Sequence, residues 1–218
     1  MPKLWDESID SHRRAVRVAV MEAAWRLAEE RGPLSVTMSQ VAEEAGIGRA
    51  TLYKYFPDVE SILVARHAGH VAQHLAQLNE LRGRGETASA RLVYVLAGYA
   101  TICFHRGLHS STEVATLVHR APEMVEAERG LHGLMVELIE DAIAEGGIRR
   151  DQPAGELADY CLHALGAAAR ATDPSTVARL VDMVLAGIGC RETPPASVVA
   201  LSSTHPGHRH ETNSAGHH

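Results

Sequence analysis

Residues 45–56, AGIGRATLYKYF, gather Arg49, Thr51, Tyr53, Lys54 and Tyr55 with no acid among them, and end on Phe56, one of only two phenylalanines in the chain. None of these groups is a nucleophile beside a base, so their chemistry is donation. A guanidinium can fork to a guanine edge or a phosphate, a tyrosine hydroxyl and a lysine ammonium can hold phosphates, and the Ala50 methyl can meet a thymine methyl. On a helix, Leu52 and Phe56 stand four apart on one face, and Arg49, Ala50, Tyr53 and Lys54 fall together on the other. One face is an anchor and the other a hand for an anionic surface.

Histidine offers a second chemistry. His67, His70 and His74 lie at steps of three and four, a spacing that can present imidazoles to Zn²⁺ or a similar ion, or simply form a polar flank. Cys103-Phe104-His105 and Cys161-Leu162-His163 resemble Cys-x-His ligand pairs, but on a helix residues two apart point some 200° away from each other, so each pair supplies at most one ligand. His205, His208, His210, His217 and His218 sit in a polar C-terminal tract that binds metal weakly or not at all. For catalysis the signals are missing: there is no Gly-x-Ser-x-Gly, phosphate loop, dinucleotide fingerprint or His-Glu-x-x-His.

The elements that must position these groups read as helices throughout. Val16, Val20, Ala23 and Leu27 recur at helical steps between His12 and Arg31, and Gly32-Pro33 stops the pattern. Thr37-Met38-Ser39-Gln40 has the form of a capping box opening a short helix that Gly46 ends. A third helix runs from Arg49 to Phe56 before Pro57, and Asp58 caps a long fourth carrying Val64, Ala68, Val71, Leu75 and Leu78. RGRGE at 82–86 reads as a hinge. Five further helices are expected near 87–105, 110–120, 122–145, 154–170 and 174–189, the last opened by Asp173-Pro174. No strand alternation or internal repeat interrupts the pattern, so the class is all-α. From Arg191 the period is lost and Pro, Ser, Gly and His accumulate, which predicts a mobile tail.

Composition agrees with a globular protein. The chain has 218 residues, 45% hydrophobic and 22% charged, with a net charge of −6, which argues against nonspecific coating of nucleic acid and leaves any DNA binding to a local basic face. Three cysteines, an odd number, lie in apolar patterns and imply reduced, structural thiols. No apolar run is long enough to cross a bilayer and the N-terminus lacks a secretory core, so a cytoplasmic location is expected.

The stretch TMSQVAEEAGIGRATLYKYF followed by PDVESIL, with VMEAAWRLAEERG upstream, resembles the DNA-binding domain of the tetracycline-repressor (TetR) family. The resemblance covers about residues 15–65. It implies a helix-turn-helix domain over 1–58, an effector-binding and dimerisation domain over 59–190 whose connecting helix is 59–82, and a disordered His-rich tail over 191–218. It also implies a homodimeric transcriptional regulator, a repressor, that binds a palindromic double-stranded DNA operator and is released by a small-molecule effector, with no required cofactor and no membrane partner.

By the same resemblance, DNA contacts fall to Thr37, Gly48, Arg49, Ala50, Thr51, Tyr53, Lys54, Tyr55 and Arg17, the last with Arg13 and Arg14 on the first helix, where solvated surface charge is the alternative. Tyr94, Tyr99, Cys103, His105, His132 and Met135 are the expected effector-pocket residues, with plain core or surface roles open for each. The last two helices, with Ala164, Gly166, Ala167 and Ala168 on one and Val177, Leu180, Val181, Val184 and Ile188 on the other, are expected to meet their symmetry mates. This chain departs from the family pattern at Gly48, where a serine is usual, at Val59, where a lysine is common, and at Ala28, where a bulky aromatic is common. Two other readings stand beside it: a metal-responsive regulator using His67, His70 and His74, and an interaction module that keeps the scaffold without binding DNA.

Overall fold

The computed structural model describes residues 3–109 and 122–193; the helix expected at 110–120 and the tail from 194 onward lie outside the described residues. Among these, eight α-helices and two short 3-10 turns account for the regular structure, and there is no strand. The helices are α1 (Lys3–Arg31), α2 (Met38–Glu44), α3 (Arg49–Leu52), α4 (Val59–Arg82), α5 (Ala88–His109), α6 (Pro122–Ala144), α7 (Ala154–Gly166) and α8 (Pro174–Gly187).

Helix α1 begins at Lys3, well before the expected His12. Residues 10–15 are exposed, so no apolar period marks them. The capping box of α2 forms as read from sequence. The Thr37 hydroxyl accepts from the Gln40 N–H at 3.4 Å, and the Gln40 side chain accepts from the Thr37 N–H at 2.9 Å. Gly46 then turns the chain with φ +66°, a conformation that would strain any residue with a Cβ.

Helix α3 is shorter than expected. After Leu52 the N–H groups of Lys54 and Tyr55 bond three residues back, to Thr51 and Leu52, because Pro57 disfavours helical geometry at the residue before it and the last turn tightens. Asp58 caps α4 through the Ser61 N–H at 2.8 Å.

Two cores result. The first joins Val20, Ala24, Leu27 and Ala28 of α1 to Val41, Leu52, Phe56, Ile62 and Leu63. The alanine at 28 is itself 1% exposed, and Trp25 packs at the edge of this core toward α4 rather than in its centre. The second is built around α5, which touches α4, α6, α7 and α8, and contains Leu78, Leu92, Leu96, Met135, Leu138, Cys161, Leu165 and Ile188. Helix α4 gives Ile62 and Leu63 to one core and Leu78 to the other, while Val64, Ala68, Val71 and Leu75 between them are half-buried.

Part of the stripe expected at a dimer interface is used within the subunit. Val177, Val181, Val184 and Ile188 of the final helical segment are each no more than 2% exposed within a single subunit. Leu180, Ala164 and Gly166 of the same expected faces are half-buried and Ala167 is exposed. The outer face of α7 and α8 is left with Tyr160, 44% exposed, and Met183, 68% exposed.

Candidate nucleic-acid interface

The α2–turn–α3 unit is held from beneath by Leu52 and Phe56, 0% and 3% exposed. Its other face carries Gly48, Arg49, Ala50, Thr51, Tyr53 and Lys54, all exposed. Half of the Tyr53 surface is open, which is unusual for a large aromatic ring that could have joined the adjoining core. No side chain caps α3, since Gly48 occupies the N-cap, so the space in front of its first turn stays clear. Thr37 is exposed but its hydroxyl is engaged in the capping box. Tyr55 is half-buried and packs on the first core.

A cleft of about 590 Å³ lies between the N-terminal half of α1 and the end of the α3 segment, lined by Asp10, Arg13, Arg14, Arg17, Lys54 and Tyr55. Residues 10, 13, 14 and 17 follow the spacing of one helix face, a signal present in the sequence, although Asp10 was not singled out there. The Arg17 guanidinium sits 4.5 Å from the centre of the Phe56 ring, a cation–π contact that joins α1 to the base of the recognition segment. Arg14 donates from Nε to the Asp10 carbonyl oxygen at 3.3 Å. Three guanidiniums and an ammonium against one carboxylate make the cleft a cationic groove continuous with the α3 face. Arg26 of α1 pairs with Glu44 of α2 at 2.6 Å and so belongs to the scaffold.

The expected effector residues separate into groups. Tyr99 and Cys103 are hydrogen-bonded to each other on α5, and burial pushes both the phenol and the thiol above their ordinary values. Cys103 and Met135 are within the second core, at 1% and 0% exposure, with Tyr94 and Tyr99 packed against it. His105 is half-buried beside Phe104, ring centres 5.4 Å apart. His132 lies 3.3 Å from Asp159 of α7 and is 42% exposed, so it faces the α6–α7 surface.

The three cysteines are free and buried, and burial raises the Cys161 thiol to about 12. Cys161 is buried while His163 is exposed, opposite orientations that preclude a two-ligand Cys-x-His site. His67 and His70 lie against Trp25 and His74 against His70, and among the described residues no three His, Cys, Asp or Glu side chains are grouped so as to hold a metal. Nor is any helix among them long and apolar enough to cross a membrane.

Residues 20–65 match the family model of bacterial regulatory proteins, tetR family. The chain is 29% identical over 181 residues to the HTH-type transcriptional regulator BetI of Brucella anthropi, covering 77% of this chain and 88% of that one. Two solved structures share the fold. One is a tetR-family regulatory protein from Rhodococcus RHA1 (TM-score 0.65, 18% identity, 81% of this chain and 98% of that one). The other is the transcriptional regulator FadR of Bacillus subtilis in complex with stearoyl-CoA (TM-score 0.56, 17% identity, 86% and 97%). With a cationic helix-turn-helix face, an all-helical body and these relatives, the chain is similar to TetR-family transcriptional regulators: residues 20–65 match the family's N-terminal model and the described helices share the fold of its solved structures.

Proposed function

We propose that this protein is a homodimeric repressor that binds a palindromic operator and lets go of it when a small molecule occupies the larger helical body. The observation that carries the reading is the two-sided recognition segment: Leu52 and Phe56 in the core, Arg49, Ala50, Tyr53 and Lys54 outward, with the Arg13, Arg14 and Arg17 groove alongside. Arg49 reads base edges, while Tyr53, Lys54 and the α1 arginines hold phosphates and set the register.

The stearoyl-CoA held by FadR supports placing an effector in the larger body, near Tyr94, Tyr99, Cys103, His105 and Met135. Its identity is open, since nothing in that set selects one ligand class. Dimerisation is assigned to the outer face of α7 and α8, through Tyr160 and Met183. An effector that binds better when the two recognition helices are wrongly spaced lowers operator affinity by the same coupling free energy. The shared helix α4 is the element able to transmit it.

The test is selection of binding sites from a random duplex pool with purified protein at one fixed moderate salt concentration. Enrichment of a palindrome is the expected result. A pool that stays random would remove sequence-specific regulation by the protein in that state.

A further inference from the structure

Helices α1 and α4 meet in a seam of unusual composition. The Trp25 ring of α1 is stacked with His67 (centres 6.3 Å apart, planes 12° apart) and tilted against His70 at 6.4 Å, and His70 in turn lies 6.3 Å from His74. The Arg66 guanidinium is 5.6 Å from the centre of the same indole. It is ion-paired with the Glu22 carboxylate, Nη2 donating to Oε2 at 3.1 Å, while Nε, 2.8 Å from Oε1, is buried without a well-aligned hydrogen bond. Trp25 Nε1–H donates to Glu29 at 2.9 Å. Two imidazoles and a guanidinium therefore crowd one tryptophan, with the third imidazole, His74, against His70, at the half-buried stretch of α4 between the two cores.

We propose that this seam is a proton-sensitive joint: when His70 takes up a proton, α1 and α4 loosen against each other and operator binding weakens. A proton on His70 adds a second positive charge beside Arg66, whose one facing carboxylate, Glu22, is already matched. The titratable and charged neighbours are Glu22 from α1 and Arg66, His67 and His74 from α4. Helices α5 and α6 pack on α4 farther along. There Leu75 is beside Gly130, Leu78 and Leu81 are beside Gly98, Arg82 is paired with Glu137 at 2.8 Å, and Arg129 with Glu126 at 3.2 Å.

Burial first, then Arg66 and His74, lower the His70 pKa from 6.5 to about 4. A group that binds its proton less readily docked than free favours the docked seam fully above its free pKa. That advantage is lost as pH falls from about 6.5 toward about 4. The consequence for DNA follows from pre-organisation: a recognition unit no longer held on α4 must be ordered when the operator binds.

The chain has two tryptophans, so in the full-length Trp5→Phe protein Trp25 is the sole indole. Its emission is recorded as pH is lowered, with far-UV circular dichroism alongside. The expected result is a red shift with its midpoint between the free and docked values, helical signal unchanged, abolished or moved in His70→Gln and preserved in His12→Gln on the exposed start of α1. Emission that stays flat, that changes equally in His70→Gln, or that changes only together with loss of helix overturns the joint. The fluorescence needs no DNA, so its outcome is separate from that of the repressor reading on which the second arm rests. Operator affinity at constant salt, between about pH 7.5 and 5.5, is expected to fall three- to tenfold in the parent relative to His70→Gln, on the order a single linked proton allows. Equal pH dependence in both overturns the coupling to DNA.

Discussion

Arg49 and Tyr53 stand on the same exposed face but hold different kinds of information. A bidentate guanidinium on a base edge discriminates among sequences, whereas a hydroxyl on a phosphate strengthens binding to all of them. Arg49→Ala is therefore expected to narrow the gap between the selected operator and a mismatched one by about 1–3 kcal/mol, and Tyr53→Ala to weaken both equally; competition binding with the two duplexes checks each. Arg17 combines charge with a fixed plane, stacked on Phe56 at 4.5 Å, and a lysine keeps only the charge. Arg17→Lys should bind operator less tightly with an unchanged salt slope, while Arg17→Gln should also reduce the slope of log affinity against log salt by about 0.9, the counterion released at one phosphate. Titrations at several salt concentrations separate the two outcomes.

At the level of elements, the short helices depend on their ends. Helix α2 has only seven residues, too few to persist on propensity alone, and its capping box satisfies N–H groups that would otherwise be open. Thr37→Ala is expected to lower stability by about 1 kcal/mol, read as a shift in the denaturant midpoint. In the larger body the tightest approach to backbone among the described glycines is between α5 and the 3-10 turn Ala167–Arg170: a Cβ on Gly107 would sit on the Ala169 carbonyl and its neighbouring backbone atoms. Backbone cannot swing aside as a side-chain tip can. Gly107→Ala should therefore cost about 1–3 kcal/mol, measured by thermal unfolding, with the free energy of the smaller N-terminal core affected less.

Among the described residues, the molecule is two packed cores sharing one helix. Ile62 and Leu63 bind α4 into the first, Leu78 binds it into the second, and the ion pairs Arg66–Glu22 and Arg82–Glu137 fasten it to α1 and α6. Among the described elements α4 contacts both bodies, which gives the proposed coupling a physical route. Assembly is argued at this same scale. With Val177, Val181 and Val184 already buried, the proposed dimer uses the outer face of α7 and α8, where Met183 is the most exposed apolar side chain. Met183→Glu is expected to shift the protein to monomer in sedimentation or size-exclusion measurements and to reduce operator affinity at least tenfold, since two linked recognition helices become one; a dimer that persists would place the interface elsewhere.

Local rules made the recognition unit legible from residues alone. The capping pairs Thr37–Gln40 and Asp58–Ser61, the glycine with positive φ at 46 and the opposite faces of Leu52 and Arg49 are all set within one or two turns of chain, so spacing and residue type are enough to read them. The helical residues before His12 escaped because the exposed stretch at 10–15 has no core to impose a period. The direction of the α8 stripe, the cation–π contact of Arg17 with Phe56 and the gathering of His67 and His70 on Trp25 each join segments far apart in sequence. An apolar stripe records that a face will be buried and not by what, and a histidine triplet at helical spacing records a shared face and not its neighbour. Those partners are chosen by how whole helices pack, where shape and burial across the molecule outweigh any local preference.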